Sequence, residues 1–143
     1  MFWRCTMLIN SELLALIGTL EKEHVEVRDA LDRIDKAVDT NDPAALKDAL
    51  EHGIPVLTEG LDGHSAAEDD SLYPAIADAL GQGLVDAFVD EHDRIRSLRN
   101  QIYGAIDKGR ADFGASAEFS ELLRSHIDRE EMMLFPSARD LLS

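Results

Sequence analysis

Two stretches of this chain repeat one arrangement of groups able to bind a metal. His64-Ser-Ala-Ala-Glu68 runs on to Leu72-Tyr73-Pro74, and His126-Ile-Asp-Arg-Glu130 runs on to Leu134-Phe135-Pro136. Both read His-x3-Glu-x4-aromatic-Pro. Each lies downstream of a Glu-His-x3-Arg element, Glu23-His24 with Arg28 and Glu91-His92 with Arg96. The chain therefore reads as two pseudo-repeats, each a helical hairpin. Residues four apart lie on one face of a helix, so each His-x3-Glu presents an imidazole and a carboxylate together. Mixed imidazole and carboxylate donors suit iron better than calcium, which takes only oxygen, or a thiolate-bound metal. Zinc and manganese also accept such donors. A bridging carboxylate from each repeat can neutralise two adjacent cations. Six groups, His24, His64, Glu68, His92, His126 and Glu130, then suffice for two metals and leave positions for oxygen-derived ligands.

The elements that must position these groups are helices. Apolar residues recur at three- and four-residue steps, as in Leu13, Ile17, Leu20, then Val27, Leu31 and Ile34, with Asn10 or Ser11 expected to cap this first helix. Thr40-Asn41-Asp42-Pro43 is a turn, with Pro43 at the first position of helix two. That helix carries Leu46, Leu50, Ile54, Leu57, Leu61 and Leu72, is expected to kink near Gly53 and Pro55, and ends at Tyr73-Pro74. A short helical turn over 75–80 and a loop at Gly81-Gln82-Gly83 follow. Helix three carries Val85, Phe88, Ile95, Leu98 and Ile102, and Lys108-Gly109-Arg110 closes it. Helix four carries Phe119, Leu122 and Met133, with Pro136 ending it. The expected fold is all-α: an up-down-up-down four-helix bundle in a single domain over 1–143, its core at about 11–140.

The six polar groups stand where this stepping demands apolar residues. Burying ionised groups unpaired costs several kcal/mol each, so something must compensate them. At about 1.5 Å per residue, His24 and His92 each lie roughly 24 Å, and His126 roughly 18 Å, from the turns at their end of the bundle. Antiparallel packing brings all six groups to about one level. His52, roughly 120° round the helix from His64, reads as a surface or capping residue. Arg28 and Arg96 read as a paired or solvated face, or alternatively as partners that orient the ligand carboxylates. Tyr73 and Phe135 read as core residues at helix ends, with Tyr73 also able to donate to a metal-bound oxygen. Glu23 and Glu91 read as exposed, or alternatively as hydrogen-bonding neighbouring groups, and Met132 and Met133 as core filler or terminus.

The net charge of −15 opposes nucleic acid and anionic lipid. One cysteine, Cys5, excludes an internal disulfide framework and a cysteine zinc site, which fits a cytoplasmic location. No stretch approaches the roughly 18 apolar residues of a membrane span. The first ten residues do not read as a signal peptide, and Met7 is an alternative start.

The order His…His-x3-Glu…His…His-x3-Glu, with the repeated Leu-Tyr-Pro and Leu-Phe-Pro, resembles the HHE cation-binding branch of the hemerythrins over about residues 12–140. The resemblance implies a four-helix bundle, non-haem iron, and chemistry with dioxygen, peroxide or nitric oxide. Two irons per chain, oxo- or hydroxo-bridged, are the expected cofactor. Oxygen-carrying hemerythrins have a second His four residues from the third-helix His, where this chain has Phe88 and Arg96, so one iron is expected to be short of a ligand. The function is then binding or sensing of a small diatomic ligand or peroxide. Turnover of peroxide or nitric oxide by an oxidoreductase is the alternative. Iron donation for iron–sulfur cluster repair ranks lower, because the cysteine-containing N-terminal domain of those relatives has no counterpart here. The sequence assigns no catalytic residue and no cofactor other than the metal.

Overall fold

The computed structural model describes residues 8–143. Met1, Cys5 and Met7, and with them the reading of the start, lie outside the described residues. The described chain folds into five continuous helical runs, and no strand is present among the described residues. No described helix is long and apolar enough to cross a membrane.

The first run is α1 (Asn10–Asp39). Ile9, not Asn10 or Ser11, flanks its start, and the Ile9 backbone N–H donates to Glu12 Oε1 at 3.0 Å. Asp42 caps α2 (Pro43–His52) by accepting from the N–H groups of Ala44 and Ala45. Gly53 ends α2. The chain re-enters a helix at once and passes through a π-helical turn (Val56–Gly60), α3 (Leu61–Ala67), a second π turn (Glu68–Leu72) and α4 (Tyr73–Leu80). At Gly60 a side chain would stand 2.9 Å from the Pro55 carbonyl oxygen, so the first π turn requires glycine there. Gly81, with φ 108°, is the whole hinge to α5 (Gln82–Asp107), and the expected three-residue loop shrinks to this one residue. Asp112 caps α6 (Phe113–Arg129), which continues through a third π turn (Glu130–Leu134) into α7 (Phe135–Leu142).

The two prolines expected to stop helices therefore do not. Helix continues past Pro74 to Leu80 and past Pro136 to Leu142. Proline has no N–H for the i→i−4 ladder, and its ring presses on the carbonyl four residues back. In both copies a π turn immediately precedes the aromatic-Pro pair, and its wider i→i+5 bonding carries the chain through. Both π turns begin on the motif glutamate, Glu68 or Glu130.

Cross-links set the directions. From Glu21 through Asp32 to Asp35, α1 meets Arg139 and then Arg124, so α1 runs antiparallel to α6 and α7. Leu50, Asp62 and Asp69 meet Tyr103, Arg99 and His92 in turn, so the middle runs are antiparallel to α5. Arg94 with Glu118 and Gln101 with Asp112 make α5 antiparallel to α6. Two apolar cores result. One holds Leu31, Ile34, Leu50, Leu57, Leu98 and Phe119, and the other holds Leu13, Ile17, Ile76, Phe88 and Phe135. Ile54, placed on the apolar seam by its spacing, is 45% exposed, and Met132 and Met133, read as core filler or terminus, are 81% and 42% exposed. The six polar seam residues form the layer between the two cores.

Candidate metal centre

His24 comes from α1, His64 from α3, His92 from α5 and His126 from α6, while Glu68 and Glu130 begin the two π turns. All six are buried, and both carboxylates have 0% exposure. The structure brings them to one point. His24 Nε2 lies 3.2 Å from His64 Nε2, and His92 Nε2 lies 3.2 Å from His126 Nε2. Glu68 Oε1 is 3.0 Å from His92 Nε2 and 3.6 Å from His64 Nε2. Glu130 Oε1 is 3.2 Å from His24 Nε2 and 3.6 Å from His126 Nε2. Two donor sets follow, His24, His64, Glu68 and Glu130 on one side and Glu68, His92 and His126 on the other.

The outward ring nitrogens explain this convergence. His24 Nδ1 meets Glu131 Oε2 at 2.8 Å and His64 Nδ1 meets Glu23 Oε1 at 2.9 Å. His92 Nδ1 meets Asp69 Oδ1 at 2.9 Å and His126 Nδ1 meets Glu91 Oε1 at 2.7 Å. An ionised carboxylate only accepts, so each Nδ1 keeps its proton and donates. Each neutral imidazole then directs the Nε2 lone pair inward, and lone pairs facing each other at 3.2 Å require a cation or proton between them. Glu68 Oε2 and Glu130 Oε1 are buried with no hydrogen-bond partner, which is costly unless something positive meets them. Donors about 2.1 Å from one ion and at right angles lie about 3 Å apart, so the spacing fits a shared metal.

From the sequence, hydrogen bonding is only the alternative for Glu23 and Glu91, and Asp69 and Glu131 have no assigned role. Glu23, still half-exposed, and Glu91 orient the imidazoles of their own hairpins, and Asp69 and Glu131 orient those of the other hairpin. The signal was the repeat itself: an acid immediately precedes His24 and His92, and an acid immediately follows Glu68 and Glu130. Arg28 pairs with Glu131 and Asp128, both at 2.9 Å, and thus steadies an outer carboxylate instead of a ligand carboxylate. Arg129 does the same for Glu91. Arg96 pairs with Asp93 on its own helix and takes no part in the centre. His52 is exposed, away from the centre. Tyr73 donates to Glu130 Oε2 at 2.6 Å, and its ring stacks on His92, while Phe135 stacks on His24. Among the described residues, no third imidazole joins either half of the centre. Each half has two, and Leu20 and Phe88, four residues before His24 and His92, are both core residues. Beside the centre lies a cavity of about 10 Å³, room for one water-sized molecule, walled by Val27, Leu61, Ile95, Leu123 and Ile127 with Ser65.

Without a metal, protons supply the compensation. Burial disfavours charge on His64, but Glu68 more than offsets it, and His64 is pushed up to about 9. Burial and the Glu68 charge push Glu130 up to about 7. Burial would raise Glu68 too, but its close neighbours Glu130, His64 and His92 hold it well below the usual carboxylate range. Burial and the charges of Glu68 and Glu130 raise the Tyr73 phenol, so it stays a hydrogen-bond donor.

A pH dependence of stability follows. The folded state holds a proton on His64 that the unfolded chain releases near pH 6.5. The resulting stabilisation is complete below that pH and lost as pH rises through about 9. Glu130 has the same sign over the window from about 4.5 to about 7. Chelator-treated protein is therefore expected to lose on the order of 3–5 kcal/mol between pH 6 and 9.5. Thermal melts across that range check this, and a melting temperature that rises with pH would contradict it.

The model for the hemerythrin HHE cation binding domain matches residues 15–138. A protein named DNA nickase, from Nostoc sp. (strain PCC 7120), is 27% identical over 105 residues, which are 73% of this chain and 28% of that relative. The chain thus spans under a third of the relative's length. No solved structure matches the chain. A family match over nearly the whole length, on residues that converge as a buried set of histidines and glutamates, places the chain among the hemerythrin HHE cation-binding domains.

Proposed function

We propose that this protein holds a non-haem di-iron centre on His24, His64, Glu68, His92, His126 and Glu130, and that it binds or senses dioxygen, nitric oxide or peroxide there. The five helical runs then act as a four-helix up-down-up-down bundle, with α2 to α4 as one kinked helix. The observation that carries this reading is the set of four Nδ1–carboxylate pairs, which aim four imidazole lone pairs and two carboxylates at one buried point. When bound, iron supplies one-electron redox chemistry and coordination positions open to a small ligand.

The chain's own residues set the conditions. Glu23, Asp69, Glu91 and Glu131 fix the tautomers and raise the donor strength of the imidazoles. The apolar walls around the cavity keep bulk water from the centre, and the cavity's size admits only a small molecule. Two ions would displace the protons on His64 and Glu130, so metal uptake releases protons and tightens with rising pH. The nicking activity in the relative's name is not carried over, since a net charge of −15 opposes a phosphate backbone.

The test is the visible spectrum of anaerobically reduced, iron-loaded protein before and after nitric oxide or peroxide. New bands in proportion to bound iron are expected. Iron-loaded protein whose spectrum neither reagent changes would overturn the reading.

A further inference from the structure

The two halves of the centre match position by position, His24 with His92, His64 with His126, Glu68 with Glu130, and Glu23 with Glu91. Beside the carboxylates the match breaks. Tyr73 occupies the place in the first repeat that Phe135 occupies in the second. The aromatic rings keep equivalent positions: Tyr73 stacks on His92 and Phe135 on His24, both at 5.7 Å between centroids. The hydroxyl is the difference. It ties up Glu130 Oε2 at 2.6 Å, while Glu68 Oε2 is buried with no partner. Glu130 Oε2 is thereby a weaker metal donor while its Oε1 stays free, and Glu68 can offer both oxygens at full strength. The donor sets agree with this, since Glu68 belongs to both and Glu130 to one.

Resting on the di-iron reading above, we propose that Tyr73 makes the two metal positions unequal. Glu68 joins both ions and Glu130 serves one. The position formed by His24, His64, Glu68 and Glu130 then fills first and holds its ion more tightly. The position formed by Glu68, His92 and His126 has one protein donor fewer and fills second. Tyr73 is a positioning residue: it acts on the metals through Glu130.

The experiment is a cobalt(II) titration of the metal-free full-length chain, followed by calorimetry and by the visible bands of the bound ion. The wild type is expected to take two ions in steps separated at least tenfold in Kd. Tyr73→Phe frees Glu130 Oε2 and is expected to bring the two steps within about threefold of each other. Phe135→Tyr supplies the missing phenol to Glu68 and is expected to weaken the second step at least tenfold. Circular dichroism and melting of each variant confirm that it folds, and if Tyr73→Phe does not, Phe135→Tyr decides alone. Two ions bound in one step by the wild type would overturn the inequality and leave the di-iron reading standing. A step ratio unchanged in folded Tyr73→Phe, or a second step unchanged in Phe135→Tyr, would overturn the role of Tyr73. No cobalt binding at all would sink both.

Discussion

Chelation is expected to lower the melting temperature of the iron-loaded protein by about 10 °C, and His126→Ala or Glu130→Ala is expected to shrink that difference. An ion present at a thousand times its Kd stabilises the fold by about 4 kcal/mol, and for a chain of this size each kcal/mol moves the melting temperature by roughly 3 °C. Both residues are buried, and each meets the ring of another helix: His126 Nε2 faces His92 and Glu130 Oε1 faces His24. Removing either leaves a carboxylate or imidazole pair without its common ion, so retained metal at the neighbouring position is weakened too. His52→Ala should change neither iron content nor melting, because His52 is exposed and apart from the centre. Iron content and paired melts with and without chelator read both effects. Iron lost in His52→Ala but kept in His24→Ala would show that the ligands are assigned wrongly.

The second large effect concerns dioxygen. The reduced protein is expected to react with it and not to carry it reversibly. Each half of the centre has two imidazoles. The positions one turn before His24 and His92, where a third could enter, hold Leu20 and Phe88, both in the apolar core. Fewer imidazoles leave more exchangeable positions, and an open position lets a metal act on a small ligand instead of parking it. The cavity beside the centre offers one polar side chain outside the ligand set, Ser65, to hold a bound oxygen molecule in place. Anaerobic reduction, exposure to air and purging with argon should leave the oxidised spectrum unchanged by the purge. Return to the reduced spectrum on purging alone, through repeated cycles, would show a reversible carrier.

How much of this was legible in the sequence depended on what each residue had to contradict. His24, His64, Glu68, His92, His126 and Glu130 stood out because each interrupts an apolar step, and a buried polar group is rarer than an exposed one. Glu23, Asp69, Glu91 and Glu131 contradict nothing, since acids on the flank of a helix are ordinary in a chain with 29 of them. Only the doubled spacing marked them. Pro74 and Pro136 misled because the rule that proline stops a helix presumes an α-helical ladder, and here π turns carry the chain past both. The same widening displaced Met133. Three residues beyond Glu130 it falls on the seam by α-helical counting, but in the π turn the buried place passes to Leu134. Tyr73 was legible as a core aromatic with a polar end. Its partner was not, because the partner depends on how the two hairpins face each other.

The most direct test of the central assignment is diffraction from crystals of iron-loaded protein, with anomalous data collected on both sides of the iron absorption edge. Two peaks are expected in the buried layer, one between His24 and His64 and one between His92 and His126, with Glu68 touching both. A single peak at full occupancy, or iron held only at surface sites such as His52, would contradict it.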